Sequence, residues 1–361
     1  MMSLYADEYW CFTGTPMKNS GTDLWAQMRF IGYTGITTKT VWEREGMRAY
    51  REDRLARVML VMGYSDTDIV LPEKEEITID IKFADLTENE RYAYVQIRRL
   101  VREAFVESLD KKRSFARVLA LFTALRQTCI APYLLSTISK RTKAFKDPTL
   151  KSRLQSLVER GSLSEWLHDE TGTAGYQSAK IKACINIVEQ IPSDEKVLIF
   201  SNFTSCLDLV AKGLEERMPG YEFAHFDGDT TADERAVIIR RFKADPNLKC
   251  LLLTYRAGAE GLDLTSATRC IRVDMWWNDA VPRQAAARAW RIGQTRKVTI
   301  YNIIVSETIE MYMERVCAEK RANINAFLQE GVTAPKRLTR EEIGKMIGIA
   351  DYVKGKGDGD D

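Results

Sequence analysis

The stretch that decides the fold is KVLIFSNFTSCLDLVAKGLEERM, residues 196–218. It begins with an apolar run, KVLIF, of the kind that forms strands buried on both faces, and continues with apolar residues at helical spacing. The pattern recurs: EFAHF (222–226), KCLLLT (249–254), RCIRVD (269–274) and VTIYNIIV (298–305) alternate with TADERAVIIRRFKAD (231–245) and DAVPRQAAARAWR (279–291). Alternating strands and helices predict an α/β fold, a parallel sheet with helices on both faces.

Four polar segments, FSNFT, FDGDT, TYRAGAEGLD and DMWWND, follow the predicted strands at the edge where a parallel sheet binds ligands. Gly258 and Gly261 come directly after a strand, where bare backbone can approach a ribose or phosphate. In VPRQAAARAWRIGQTRK (281–297), a helix from about Val281 would place Arg288 and Arg291 on one face. Paired guanidiniums in this setting suit a polyphosphate. Taken alone, an RxxR spacing more often marks a solvated basic face.

Composition excludes several classes of protein. The 361 residues are 45% hydrophobic and 29% charged, with a net charge of +2, which indicates a folded protein whose nucleic-acid surface, if any, is local. Seven cysteines form no CxxC pair, and His168 and His225 are the only histidines, so we expect neither a metal centre nor a Ser-His-Asp triad. No apolar run reaches the roughly 18 residues of a membrane span. We therefore expect a soluble, intracellular protein.

Three segments carry a family resemblance: FTGTPMKN (12–19), HFDGDTTADERAVIIRRF (225–242) and the run from LLLTYRAG to NIIVSETIE (251–310). In this order they closely resemble the Swi/Snf-type ATPases, the DNA-translocating branch of superfamily-two helicases, over most of residues 11–330. The segment that ends in RIGQ is the part of the sequence most specific to this family. The resemblance implies a RecA-like, three-layer parallel sheet (the P-loop NTPase fold) as the second helicase lobe, with an added helical insertion and C-terminal helices.

The resemblance also implies four parts along the chain. Residues 1–35 would be a remnant of the first RecA-like lobe, 36–177 a linker and helical protrusion, 178–330 the helicase C-terminal lobe, and 331–361 a C-terminal helix and disordered tail. Local patterns add detail. Residues 89–109 and 114–130 show helical periodicity, 136–177 look like an exposed insertion, Thr231 and Glu234 have capping-box spacing, and further helices are expected near 307–328 and after Thr339.

The nucleotide site follows from the resemblance. Arg288 and Arg291 match the family's paired arginine fingers, which reach the γ-phosphate of ATP held on the other lobe. ATP is expected with Mg²⁺, whose ligands and phosphate loop belong to the first lobe. The remaining matched positions are Gly258, Glu260, Gly261, Asp263 and Gln284 beside the nucleotide, and Thr13, Gly14 and Thr15 in the third helicase motif, which couples the lobes.

The DNA contacts carry over in the same way, because small polar side chains and free N–H groups suit phosphates without reading base sequence. The expected DNA-binding residues are Ser201, Asn202, Gly228, Thr230, Arg235, Thr254, Trp277 and Asn278. Trp277 would face the minor groove, whereas Trp276 is expected to pack in the core. The basic stretch SKRTKAFK (139–146) is either a further phosphate patch or a solvated loop.

The chain departs from the family at several positions. It has Asp263, Asp279 and Trp290 where the family usually has Asn, Pro and His. Asp279 adds a negative charge near the proposed DNA surface, which would weaken binding. The segment ARVMLVMGY lacks the paired arginines often found before LPxK, which puts the linker's coupling role in doubt.

The sequence contains no GxxxxGK[ST] phosphate loop and no DExH box at a suitable distance before FTGTP. We therefore expect the C-terminal portion of a longer ATPase that hydrolyses negligible ATP alone. The favoured function is the C-terminal motor lobe of a double-stranded-DNA translocase in chromatin remodelling or DNA repair, located in the nucleus, with nucleosomes as further candidate partners and no membrane. Two alternatives stay open: a stand-alone, non-catalytic DNA- or partner-binding module, and an RNA helicase, since GLD occurs there.

Overall fold

A computed structural model describes residues 7–13, 22–32, 69–110, 116–135, 173–258, 261–277, 280–330 and 340–348. The chain divides into two compact units, one of residues 1–70, 277–280 and 315–339, the other of 71–276, 281–314 and 340–361. The described part of the first unit includes helix α1 (Thr22–Phe30), whose Leu24 and Met28 are buried. Within the described ranges, no helix is both long and apolar enough to cross a membrane.

The second unit contains a six-stranded sheet in which every described pairing is parallel. The strands are β1 (Lys74–Ile81), β2 (Val197–Ser201), β3 (Glu222–Phe226), β4 (Leu248–Thr254), β5 (Arg269–Arg272) and β6 (Val298–Val305). Their spatial order is β1-β6-β5-β2-β4-β3. The predicted parallel sheet is thus confirmed, and each of the five strands expected from sequence is present.

Helices connect the strands and extend the fold at both ends. They are α2 (Glu88–Asp110), α3 (Ala116–Ile130), α4 (Thr173–Tyr176), α5 (Ala179–Glu189), α6 (Thr204–Arg217), α7 (Ala232–Ala244), α8 (Tyr255–Gly258), α9 (Ala280–Ala286), α10 (Ile309–Glu330) and α11 (Arg340–Ile347). The two upstream helices and the helix after position 339 are confirmed. The predicted disordered tail and most of the 136–177 insertion lie outside the described residues.

Strand β1 lies in the range predicted as the linker and protrusion, and it forms an edge of the sheet. It pairs with β6 along its whole length, from Lys74 opposite Val298 to Ile81 opposite Val305. Ile79 and Ile81 pack on the core while the intervening side chain is exposed. This alternation is the pattern of a strand with one covered face.

Alternation along β2 explains the three layers. Val197 and Ile199 join a cluster with α5 and α6, whereas Leu198 and Phe200 join a second cluster with α7, α8 and α9. Since successive side chains of a strand point to opposite faces, the two clusters lie on opposite sides of the sheet. All five residues of β2 are buried, as the uninterrupted apolar run predicts.

Two capping boxes fix helix starts. Thr231 and Glu234 form the predicted box at α7: Thr231 Oγ1 accepts from the Glu234 amide, and the Glu234 carboxylate accepts from the Thr231 amide at 2.8 Å. Thr87 and Glu90 repeat the arrangement at α2. The second Glu90 oxygen accepts from the Ala179 amide at 2.9 Å, so one buried carboxylate serves the first turns of both α2 and α5.

Candidate functional site

The carboxyl ends of β5, β2 and β4 lie side by side at the centre of the sheet. From β2 the chain crosses to β3 and returns to β4 on one side of β2, and then moves to β5 on the other. A reversal of this kind opens a crevice at the strand ends, which is where parallel α/β sheets bind ligands. The candidate site is therefore built from the segments that follow these three strands.

Asp274 ties these segments together from the end of β5. Its buried carboxylate accepts from the Asn202 backbone amide at 2.9 Å and the Asn202 side-chain amide at 2.7 Å, which fixes the loop after β2. The same carboxylate accepts from Arg126 Nη2 at 3.0 Å. The Tyr255 hydroxyl donates to the Asp274 carbonyl at 3.0 Å, which adds α8 to the network.

Two predicted DNA-binding side chains accept hydrogen bonds from backbone amides of their own loops. Ser201 is fully buried, and its hydroxyl accepts from the Phe203 amide at 3.1 Å, so it shapes the loop. Its predicted contact with DNA stays a prediction. Thr254 is half-buried, and its hydroxyl accepts from the Ala257 amide at 3.4 Å, at the start of α8. Asn202 is half-buried and keeps part of its surface at the site.

The paired arginines do not lie on a regular helix, because α9 ends at Ala286. They occupy the turns that follow, in which the Arg288 amide donates to the Ala285 carbonyl at 3.1 Å and the Gln294 amide to the Arg291 carbonyl at 3.0 Å. Both side chains remain partly exposed. The predicted helical presentation is wrong, and the two guanidiniums are brought together by a turn instead.

This arginine turn packs against the segment that follows β4. Arg291 Nη1 donates to the Leu262 carbonyl at 3.1 Å, and the Leu264 amide donates to the Arg288 carbonyl at 3.1 Å. Partial burial, and then the positive charge of Arg291, lower the pKa of the Arg288 guanidinium from its usual value. The two positive charges are therefore close enough to repel each other, and an anion bound beside them would relieve that repulsion.

The glycines of this segment serve different purposes. Gly261 has a φ of +28°, and a Cβ at this residue would have no atom within 4 Å, so its backbone is open to a ligand. At Gly258 a Cβ would come within 2.8 Å of the Phe200 ring, so packing alone already requires a glycine here. Gln284, at α9, is half-buried, and Glu260 lies outside the described residues.

Asp263 is held within the lobe. Its carboxylate accepts from Lys243 Nζ at 2.6 Å and from the Thr265 hydroxyl at 2.9 Å. The Lys243 hydrogen bond is the largest cause of a lowered pKa for Asp263. The carboxylate therefore stays ionised and oriented, with about half of its side-chain surface (48%) exposed.

Two residues, one between the arginines and one after them, hold the arginine turn in place through hydrogen bonds. Gln294, the glutamine of RIGQ, is buried, and its Nε2 lies within 3.1 Å of the carbonyl oxygens of Thr265, Ala267 and Ala289. Trp290 Nε1 donates to the Pro72 carbonyl at 2.8 Å, and Lys74 Nζ lies 4.9 Å from its ring centroid. The sequence alone did not predict that Gln294 and Trp290 hold the arginine turn.

The loop after β3 is braced by Arg235. Its Nε donates to the Thr230 carbonyl at 3.0 Å and its Nη2 to the Asp227 carbonyl at 2.8 Å. The Thr230 hydroxyl accepts from the Asp227 amide at 3.1 Å. Gly228 at the tip is exposed, with open space around it. Arg235 thus shapes a loop whose tip presents backbone to solvent.

The remaining predicted positions are placed as follows. Trp276 is half-buried outside the two core clusters and stacks on Arg126, which corrects the expectation of core packing. Trp277 is half-buried in the first unit, and Thr13 is exposed. Gly14, Thr15, Asn278 and Asp279 lie outside the described residues. Across the described ranges, no group of three or more metal-ligating side chains is found.

Two protein-family profiles match the chain: SNF2-related domain over residues 1–134 and Helicase conserved C-terminal domain over residues 179–293. The chain is therefore similar to SNF2-related proteins. The two matches, in this order along the chain, confirm the resemblance to Swi/Snf-type ATPases of helicase superfamily two.

The curated relatives of the chain include proteins of a virus and of a plant. Putative helicase 172L of Invertebrate iridescent virus 6 is 34% identical over 97% of the chain and 62% of its own length. DNA repair protein RAD5A of Arabidopsis thaliana is 27% identical over 96% of the chain and 42% of its own length. The chain therefore spans less than two thirds of either relative.

Solved SNF2 structures share the fold. The C-terminal part of the Fun30 ATPase domain matches with a TM-score of 0.54 at 22% identity, over 79% of this chain and 99% of that one. The SWI2/SNF2 ATPase core of Sulfolobus solfataricus in complex with dsDNA matches with a TM-score of 0.50 at 23% identity, over 88% and 61%. The RecA-like lobe predicted from sequence is thereby confirmed.

Proposed function

We propose that the chain is the C-terminal motor lobe of an ATP-dependent double-stranded-DNA translocase of the chromatin-remodelling or DNA-repair type. The observation that carries this proposal is the arginine turn, in which two partly exposed arginines lie beside the segment after β4: Arg291 through its guanidinium and Arg288 through its backbone carbonyl. Relatives named for DNA repair and for chromatin remodelling support the choice of process.

The nucleotide would be ATP with Mg²⁺, and the residues present fit its phosphate end. Arg288 and Arg291 offer adjacent positive charges, and Gly261 leaves room for close approach of a ligand to the backbone. The triphosphate supplies a bond whose cleavage releases free energy. The two guanidiniums would stabilise the charge that develops as that bond breaks, while Gln294 and Trp290 keep the turn from moving.

The DNA backbone would lie along the loops that follow β2 and β3. Asn202 at the first loop and Gly228 at the second keep exposed surface, and Arg235 fixes the second loop by binding two of its carbonyls. Neutral amides and hydroxyls of this kind position phosphates without reading sequence. Binding and release of ATP between two lobes would then alternate the grip on DNA and move it along.

The test of the arginines uses a complete ATPase, in which this chain is supplied with a first RecA-like lobe that carries a phosphate loop and a DExH box. We expect Arg288→Ala or Arg291→Ala to lower kcat for DNA-stimulated ATP hydrolysis at least about a hundredfold, because arginine fingers act in the transition state. The KM for DNA should be unchanged. The chain without the first lobe should show only background hydrolysis.

Arg296→Ala is the matched control, since this arginine lies in the same segment but is exposed and bound to Asp194 and Glu195. It should retain the parental kcat. If both fingers can be removed while DNA-stimulated hydrolysis persists at the parental rate, the motor assignment is wrong.

A second candidate function is a non-catalytic DNA- or partner-binding module, which is favoured by the lack of a GxxxxGK[ST] loop in the sequence. This candidate predicts duplex binding by the chain but no ATPase activity on addition of any first lobe. Equal stimulation of the complete enzyme by RNA would instead favour the RNA helicase alternative. Nucleosomes as partners and a nuclear location stay predictions, and a viral relative leaves other compartments open.

A further inference from the structure

Arg126, on α3, sits beneath the two loops that follow β2 and β5. Its side chain is only 3% exposed and forms an ion pair with Asp274, which is 1% exposed, at 3.0 Å. None of its contacts could be anticipated from local sequence, since the two residues are 148 positions apart. A buried arginine of this kind is retained only where partners satisfy it.

The guanidinium contacts both loops at once. From the loop after β5, the Met275 carbonyl accepts from Nη2 at 2.7 Å and from Nε at 3.2 Å, and the Trp276 ring lies 4.5 Å from Cζ. From the loop after β2, the Phe203 ring lies 5.0 Å from Cζ. Asp274, held by Arg126, in turn accepts both amides of Asn202.

These contacts need the shape of arginine and not only its charge. A planar guanidinium can bond a carboxylate and a carbonyl at its edge while its faces stack on aromatic rings. A lysine ammonium carries the same charge at a point and cannot make this set of contacts together. Burial lowers the pKa of Arg126, and the Asp274 carboxylate opposes that shift. The buried positive charge is therefore stabilised by its carboxylate partner.

We propose that Arg126 is a positioning residue for DNA binding: it holds the loops after β2 and β5 in the one arrangement in which both can grip the same duplex. The proposal rests on the proposed function, since it assumes that these loops contact DNA. Arg126 itself touches no DNA, because it is buried. Its effect would pass through Asn202 on one loop and Trp276 on the other.

The test compares the full chain with its Arg126→Lys variant. Hydrogen–deuterium exchange of the backbone reports on residues 201–204 and 273–277. Fluorescence anisotropy with a short labelled DNA duplex gives the Kd for DNA. Both measurements are made far below the melting temperature of either protein. We expect faster exchange in both loops and a Kd raised about tenfold, as for the loss of one or two well-placed hydrogen bonds.

Two control variants separate positioning from stability. Leu121→Ala removes a fully buried side chain from the same helix, so it should lower the melting temperature but leave the Kd for DNA unchanged. Arg99→Lys changes an exposed arginine on α2 and should change neither quantity. A merely structural Arg126 would behave like Leu121, with weaker folding and parental DNA affinity, and that result overturns the proposal.

If Arg126→Lys does not fold, Trp276→Leu tests the same network from its half-exposed side. It should speed exchange after β5 and weaken DNA binding a few-fold; parental exchange and affinity overturn the proposal. If the parent chain binds no duplex, the proposed function fails, yet the exchange measurement still decides whether Arg126 holds both loops. Parental exchange in both loops of Arg126→Lys rejects the positioning role by itself.

Discussion

At the scale of single residues, the Asp263–Lys243 pair joins the C-terminal turn of α7 to the segment beside the arginine turn. Lys243 holds the pKa of Asp263 below its ordinary value. A carboxylate with a lowered folded-state pKa stabilises the folded protein above its unfolded-state pKa, about 3.9 for Asp, and loses that contribution as the pH falls through the folded-state value. The effect is modest because both side chains are 41% or more exposed.

Asp263→Asn should therefore lower the melting temperature slightly at neutral pH, and the difference from the parent should vanish as the pH falls below about 4. Thermal unfolding followed by circular dichroism over a pH series measures it. Lys243→Met is the matched control and should remove the largest part of the same pH-dependent stabilisation, while the Thr265 hydrogen bonds keep the rest. A difference that grows towards acidic pH would contradict the assignment of the pair.

The limits of sequence reasoning are clearest for single side chains. Thr231 and Glu234 were predictable as a capping box because both partners lie within one helical turn. Ser201 and Gly258 were predicted to meet ligands, and the structure adds contacts that the sequence did not predict: Phe203 with the serine and Phe200 with the glycine. Asp274 and Arg126 meet only in the folded chain, so no local pattern could pair them.

At the scale of elements, Trp290 connects the arginine turn to the start of β1. Its indole N–H donates to Pro72, two residues before the strand begins, and Lys74 of β1 lies over its ring. The edge strand is also tied to β6 through Lys297, which pairs with Glu73 and Glu75 at 3.0 Å. The turn is therefore braced from a segment that is remote in sequence.

Trp290→Phe keeps an aromatic ring but removes the donor to Pro72. We expect faster amide exchange across residues 287–294 and a kcat for DNA-stimulated hydrolysis in the complete ATPase lowered several-fold, with an unchanged KM for DNA. Lys74→Met keeps the hydrogen bond to Pro72 and loses the cation over the ring together with the exposed ion pair to Glu76, so its effect on kcat should be smaller. Parental kcat and exchange in Trp290→Phe would show that the indole N–H does not brace the turn.

Strands and helices were predictable to different degrees. Runs such as KVLIF and KCLLLT were predicted as strands because a strand that is buried on both faces requires continuous apolar residues. β1 was missed because KEEITIDI is charged at its start and covered on one face only. α9 was predicted too long: its alanines favour helix, but the chain turns after Ala286, and the Gln294 side-chain amide that lies within 3.1 Å of three carbonyl oxygens holds those turns.

At the scale of the whole molecule, charge is nearly balanced, with 53 basic and 51 acidic residues. Most of the predicted DNA-binding residues that the structure describes are uncharged. The Arg235 guanidinium donates hydrogen bonds to two carbonyls of its own loop. Each phosphate neutralised by Lys or Arg steepens the plot of log affinity against log salt by about 0.9. A grip made largely of amides and hydroxyls therefore depends only weakly on salt.

We expect the magnitude of this slope for the full chain on duplex DNA to be below about 4, so that raising salt fourfold weakens binding by at most roughly two orders of magnitude. Fluorescence anisotropy over a salt series gives the slope. A slope near 8 would mean that a larger basic surface is involved, for which SKRTKAFK (139–146), outside the described residues, is the candidate. Replacing its lysines and arginine with glutamine would then flatten the slope.

The pairing of β1 with β6 has a consequence for how the protein is made. Lys74 meets Val298, so the edge strand leaves the ribosome long before its partner exists. Until then its backbone N–H and C=O groups are unsatisfied, and its leading residues, Lys74, Glu75 and Glu76, provide the charges that discourage strand addition by another chain. The β1–β6 pairing can form only after synthesis has passed Val305, so this edge closes later than the pairings among β2, β3, β4 and β5 can form.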